Sequence, residues 1–295
     1  MPEMKKTPLY DQHLALKGKL IDFGGWFLPV SYRGIIEEVL QTRNKASVFD
    51  ASHMGEFFVE GRQAEDFLQH VLTNDLSRLK DNGIIYSPLC YPHGGTVDDI
   101  LVYRYTREKF LLVVNASNTP KDYNWLQERL PAAVTLRDCS DEFALLAVQG
   151  PSSLEILHRV TKDVPLSGLK YYTFLPRVKI AGIDCLLSRT GYTGEDGFEI
   201  LCPAHKAAAL WEALLTVGQS ESLSLLPAGL GARDVLRLEA ALPLYGHELT
   251  REITPLEAGL GKFVALKKKT AFIGQEALLK QKEEGLKRCL AGLIM

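Results

Sequence analysis

The sequence predicts an α+β fold with antiparallel sheets and covering helices, and three observations carry that expectation. Short β-branched and aromatic runs alternate with amphipathic helical stretches. Two pairs of these runs are joined by glycine-bearing turns, Pro92-His93-Gly94-Gly95 and Ala181-Gly182-Ile183-Asp184. Such turns are too short for a crossover, so each pair is a hairpin. The order strand, helix, hairpin, strand, helix then returns in the second half without a repeat of the residues themselves. At 295 residues the chain is long enough for a large core and more than one folding unit.

Each element has a local reason. Asp22-Phe23-Gly24-Gly25-Trp26-Phe27-Leu28-Pro29-Val30 is apolar but interrupted by glycines and a proline, so it is a short strand or packed loop. A helix follows Tyr32, with Ile35, Ile36, Val39 and Leu40 expected on its inner face and Glu37, Glu38 and Arg43 outside. Val48–Val59 reads as two strand pieces broken by Asp50-Ala51-Ser52-His53-Met54, where His53 reads as core packing. Ala64, Phe67, Leu68, Val71 and Leu72 make the apolar stripe of a second helix. Gly83–Cys90 and the strand after Gly94-Gly95 form the first hairpin, and Phe110–Asn115 is its neighbour. Asn118-Thr119-Pro120 opens a helix with proline at the first position. The second round runs through Phe143–Val148, a helix after Gly150-Pro151, the hairpin about Ala181–Asp184, and Phe198–Leu201. Helices then carry Leu210, Trp211, Leu214 and Leu215, and later Val235, Leu238 and Glu239.

The stretch Gly94-Gly95-Thr96-Val97-Asp98-Asp99-Ile100-Leu101-Val102-Tyr103 places two carboxylates at the mouth of a strand. Side chains alternate there, so Asp99 shares a face with Leu101 and Tyr103, and Asp98 with Ile100 and Val102. Taken alone, the stretch reads as an Asx-type turn feeding an edge strand, with one acid on a cavity and the other on a turn or the surface. Ser188–Glu199 is the most unusual stretch, a glycine-punctuated polar loop running into a strand. There Glu199 faces opposite to Phe198 and Ile200 and therefore needs a partner or a ligand. Gly229-Leu230-Gly231-Ala232-Arg233-Asp234 opens a helix but lacks the third glycine of a dinucleotide fingerprint. Arg233 there can hold an anionic group at the helix start or form a structural pair with a carboxylate.

Composition excludes several function classes. Charged residues number 34 basic against 36 acidic, for a net charge of −2, which gives no electrostatic case for nucleic acid or an anionic membrane. The five cysteines are scattered with no CxxC spacing, and the seven histidines show no metal-binding pattern. A reducing compartment and no metal are the expectation. The N-terminus leads into polar residues, and no apolar run is long enough to span a bilayer.

Taken together, Phe23-Gly24-Gly25-Trp26, Asp50-Ala51-Ser52-His53-Met54-Gly55-Glu56, Gly94–Asp99, Ser188–Glu199, Pro227–Asp234 and Ile253-Thr254-Pro255-Leu256-Glu257 resemble, in collinear order, the aminomethyltransferase (T protein) family of the glycine cleavage system. The resemblance implies the folate-binding T-protein fold, two interleaved domains of a three-domain clover-leaf around a central hole. On that basis residues 1–275 are expected to hold two interleaved subdomains. Residues 276–295 would be a linker helix and the first strand of a truncated C-terminal barrel, with 290–295 disordered or paired with another chain. The implied reaction moves a one-carbon unit from the aminomethyl-lipoyl arm of H protein to tetrahydrofolate, the acceptor substrate, with release of ammonia. The P and L proteins would be indirect partners, and the setting cytoplasmic, or the matrix for a trimmed mitochondrial form. By the same resemblance Asp99 is the catalytic carboxylate, Glu199 and Arg233 bind the folate, and Tyr86, Tyr192, Met54, Val114 and Asn115 line its pocket. The alternatives are a folate-dependent demethylase-type relative and an inactive folate-binding remnant.

Overall fold

The computed structural model describes residues 4–162, 164–220 and 223–292. In chain order its elements begin with β1 (Lys5–Lys6), α1 (Tyr10–Ala15), β2 (Lys19–Phe23), β3 (Trp26–Ser31), α2 (Ile35–Asn44) and β4 (Ala46–Asp50). Next come β5 (Gly55–Glu60), α3 (Ala64–Val71), β6 (Ile84–Cys90), β7 (Thr96–Thr106), β8 (Lys109–Val114), α4 (Thr119–Gln127) and β9 (Thr135–Asp138). The chain continues through β10 (Phe143–Gln149), α5 (Ser153–Val160), β11 (Phe174–Ile180), β12 (Ile183–Ser188) and β13 (Gly197–Pro203). It closes with α6 (Ala207–Val217), β14 (Leu225–Pro227), α7 (Leu230–Glu239) and α8 (Gln275–Glu284). Two compact units result, one of Met1–Met54 and Ser140–Leu242, the other of Gly55–Cys139 and Pro243–Met295.

The first unit is built on a six-stranded sheet ordered β11-β12-β13-β10-β4-β14, with the small β1-β3-β2 sheet formed by the N-terminal segment. Most pairs are antiparallel, as expected, but β14 joins β4 in parallel and β1 joins β3 in parallel. Strand alternation divides the large sheet into two faces. Val48, Leu146, Val148, Phe198, Ile200 and Cys202 point to one and form a core with Leu157 of α5 and Leu210, Trp211 and Leu214 of α6. Phe49 and Ala147 point to the other, where they meet Val39 of α2 and Ala232 and Leu236 of α7. Glu199 lies opposite Ala147 in the ladder and so takes this second face.

One expectation for α2 is reversed. Ile35, Ile36 and Leu40 are exposed, Ile36 to 78%, whereas Glu38 is buried with Val39. The reason is polar. Glu38 Oε1 accepts the backbone N–H groups of Tyr32 at 2.6 Å, Arg33 at 2.9 Å and Gly34 at 3.3 Å, and Oε2 accepts that of Gly229 at 2.8 Å. A carboxylate that satisfies orphan N–H groups ahead of two helices outweighs the burial of two isoleucines.

The second unit holds a five-stranded sheet ordered β6-β7-β8-β5-β9, every pair antiparallel. One face is packed by Ala64, Phe67, Leu68 and Val71 of α3 and by Trp125 and Leu126 of α4. The hairpin at Gly94-Gly95 forms as expected, and Gly95 is required there: a Cβ would stand 1.7 Å from the Arg251 carbonyl. The acidic strand β7 is central, between β6 and β8, and not the edge strand its turn signal suggests. Of α8, Leu278 is fully buried with Cys90, Val264 and Phe272 of the same unit. The strand expected to follow the linker helix within residues 276–295 does not form over residues 288–292, where Leu290 N–H bonds the Glu257 carbonyl and Arg288 pairs with the Glu257 carboxylate. Residues 293–295, the rest of that expectation, lie outside the described residues.

Candidate functional site

The acidic pair is built by strand alternation on β7. Asp98 points to the helix-covered face with Ile100 and Val102 and is fully buried, which corrects the expectation of a turn or surface group. Its Oδ1 accepts from Asn115 Nδ2 at 2.8 Å and Asn118 Nδ2 at 2.7 Å, and its Oδ2 from the Asn115 backbone N–H at 3.1 Å. These donors lie where β8 ends and α4 begins, so one short connection supplies the partners that the burial of Asp98 demands.

Asp99 takes the other face and is only partly buried as a residue. Tyr86 Oη donates to its Oδ2 at 3.0 Å and Asn115 Nδ2 to its Oδ1 at 3.0 Å. Burial of the carboxyl and then the neighbouring Asp98 charge push it up to about 7, against the two hydrogen bonds. A carboxyl poised there both accepts and returns a proton near neutral pH. The Tyr86 ring meets Phe263 edge-on, with centroids 4.6 Å apart, which fixes its hydroxyl over Asp99. Val114 is fully buried in the core of this unit, so its side chain serves packing and its position sets Asn115 at the strand end. Tyr86, Asp99, Val114 and Asn115 are thus one continuous group.

In the first unit, Glu199 is buried, and its Oε2 accepts from Thr190 Oγ1 at 2.5 Å. Its other oxygen has no hydrogen-bond partner among the described residues. Burial raises its carboxyl, more than the Thr190 bond and the Arg233 charge lower it. Arg233, on the first turn of α7, lies over the Tyr192 ring at 4.7 Å from its centroid. No carboxylate stands within ion-pair distance of its guanidinium among the described residues, so the structural pair weighed above is not formed. Met54 is half-buried where the chain leaves this unit.

His53 packs into the interior as its sequence position suggests, 4% exposed. Its Nδ1, however, has no hydrogen-bond partner among the described residues, and burial followed by the Arg233 charge drives it down to about 4. It is therefore a neutral imidazole beside Arg233, with the Phe23 ring edge-on at 5.7 Å. A second array escaped the sequence altogether. Asp50 Oδ2 accepts from Thr7 Oγ1 at 2.6 Å and pairs with His13 Nε2 at 2.9 Å, and His13 Nδ1 bonds Tyr32 Oη at 2.7 Å. No spacing rule links positions so far apart.

Among the described residues, no group of three or more His, Cys, Asp or Glu could hold a metal ion, and no helix is long and apolar enough to cross a membrane. What the two groups offer is a proton-accepting carboxyl framed by hydroxyl and amide donors, and a buried carboxylate with a spare acceptor oxygen near an unpaired guanidinium and an aromatic ring. The second set fits a planar heterocycle with N–H donors and an anionic appendage.

Residues 9–268 match the family described as GCVT N-terminal domain. The chain is 52% identical over 295 residues to an aminomethyltransferase of Natranaerobius thermophilus, covering 100% of this chain and 80% of that one. It is 55% identical over 296 residues to an aminomethyltransferase of Thermoanaerobacter pseudethanolicus, covering 100% and 79%. The crystal structure of the glycine cleavage system aminomethyltransferase T from Bartonella henselae superposes with a TM-score of 0.87 at 36% identity, covering 97% of this chain and 77% of that one.

Proposed function

We propose, on the premise that this chain belongs to the aminomethyltransferase family of glycine cleavage T proteins, that its substrates are aminomethyl-lipoyl H protein and tetrahydrofolate. The reaction moves the one-carbon unit to the folate and releases ammonia. Asp99 is the reacting carboxylate. Glu199 and Arg233 bind the folate, with Tyr86, Tyr192, Met54 and Asn115 around it and Val114, packed in the core, holding Asn115 at the strand end. The relatives' bacterial origin supports a cytoplasmic setting, with the P and L proteins as indirect partners.

The observation that carries this reading is the state of Asp99. Transfer of a methylene unit to an amine develops positive charge and then sheds a proton. A partly buried carboxyl raised to about 7 and held by Tyr86 and Asn115 can stabilise that charge and take that proton. Glu199 supplies what a pterin asks for, an oxygen free to accept ring N–H bonds, and the Tyr192–Arg233 stack offers a flat cationic face. The test is direct. Purified chain, aminomethylated H protein and tetrahydrofolate should yield ammonia and 5,10-methylenetetrahydrofolate in equal amounts. Ammonia release that does not depend on tetrahydrofolate would refute the acceptor assignment.

A further inference from the structure

Behind Asp99 lies a third carboxyl that the sequence did not single out. Asp122, on α4, is fully buried, and neither of its oxygens meets an N–H or O–H donor among the described residues. The group across from it, within hydrogen-bond reach, is the Asp98 carboxyl. Two ionised carboxylates in buried contact repel, so the pair holds together only with a proton between them. Asp98 already accepts three N–H bonds, from the Asn115 backbone and the Asn115 and Asn118 amides. That is the bonding of a carboxylate, which leaves the proton on Asp122.

We propose that Asp122 and Asp98 are positioning residues: Asp122 stays a neutral acid that donates to the Asp98 carboxylate, and the charge so preserved on Asp98 sets the pH range in which Asp99 accepts a proton. The inference rests on the reading of Asp99 as the reacting carboxylate. Its geometry is compact, since Asn115 Nδ2 bonds Asp98 at 2.8 Å and Asp99 at 3.0 Å. A change of charge on one acid therefore reaches the other across a single amide. Burial first, then the charge and hydrogen bond of Asp98, push Asp122 up to about 11.

The other charged and titratable groups around the cluster are few. Lys121, beside Asp122 on α4, forms a long ion pair with it, Nζ 3.7 Å from Oδ1 and beyond a hydrogen bond, and its charge opposes the rise of Asp122 without cancelling it; the same ammonium donates to the Val97 carbonyl and lies 4.0 Å from the Tyr245 ring centroid. Tyr245 is raised by burial and then by Asp98 and Asp122, and Arg251 opposes that rise. Tyr86 contributes its donated hydroxyl from β6.

The experiment is a carbon-13 NMR titration of the chain labelled at the aspartate side-chain carboxyls. In the wild type, one resonance should keep its protonated shift above pH 8 and vanish in Asp122→Asn. A second should titrate near neutrality and vanish in Asp99→Asn. In Asp98→Asn the midpoint of that second resonance should fall by about one pH unit or more. In Asp122→Asn it should hold, because an amide donates where the acid did. No persistently protonated aspartate, or an Asp99 midpoint unmoved by Asp98→Asn, overturns the proposal. Should Asp98→Asn fail to fold, the wild-type and Asp122→Asn spectra decide alone. Turnover separates the two readings: an active Asp99→Asn refutes the role of Asp99 and leaves the titration standing.

Discussion

The Tyr86 hydroxyl donates a 3.0 Å hydrogen bond to Asp99 from the adjoining strand, where Tyr86 sits in register with Leu101. A donor to a carboxylate favours its charged form, so this bond pulls Asp99 down while burial and Asp98 push it up. In Tyr86→Phe the bond is lost and the carboxyl rises further. The acid limb of the pH–rate profile should then move to higher pH by roughly half to one unit, for a bond worth about 1 kcal/mol. The high-pH plateau should change far less. A limb displaced to lower pH would contradict the assigned hydrogen bond.

Glu199→Gln keeps the shape of the side chain and removes its charge. The Thr190 hydroxyl still has an acceptor, but the oxygen proposed to meet the folate becomes neutral or turns into a donor. Loss of a charge-assisted bond of about 1.5–3 kcal/mol should weaken tetrahydrofolate binding by roughly 10- to 150-fold in calorimetric titration. Thermal stability should hold or improve, because burial opposes the charged form of Glu199.

Asp50→Ala is expected to damage the fold rather than the chemistry. It strips the acceptor from buried His13 and from Thr7, and breaking such a buried pair costs about 3–5 kcal/mol. Burial raises the Asp50 carboxyl, but bonds and charge from His13, with Ser52 and Thr7, outweigh it and leave it below its ordinary value. Its stabilisation is therefore full above the unfolded value near 4 and is lost as pH falls through the lower folded value. Urea unfolding at pH 7 should show the deficit of the variant, and the gap should narrow below pH 4.

Much of this architecture is legible in the chain itself. The apolar stripe of α3, the glycine turns of both hairpins and the alternation of Glu199 away from Phe198 and Ile200 all follow from local spacing, and each appears where spacing puts it. What spacing does not reveal is polar burial. The inner face of α2 follows Glu38, because four backbone N–H groups need its carboxylate, one of them supplied by Gly229 far along the chain. Asp98 reads as a turn residue because its donors, Asn115 and Asn118, arrive only after another strand. The Asp50–His13–Tyr32 array is invisible for the same reason. Hydrophobic period is a property of neighbours, whereas the satisfaction of a buried polar group is a property of the whole fold.

The role proposed for Asp99 is to act on the one-carbon unit, and single turnover of Asp99→Asn tests it most directly. Enzyme in excess over aminomethylated H protein, with saturating tetrahydrofolate, should release ammonia at least 100-fold more slowly than the wild type, the usual weight of a proton-transferring group. Tetrahydrofolate affinity, measured on the same preparation, should stay within about threefold, a difference below 1 kcal/mol. Near wild-type release of ammonia by Asp99→Asn would contradict the account.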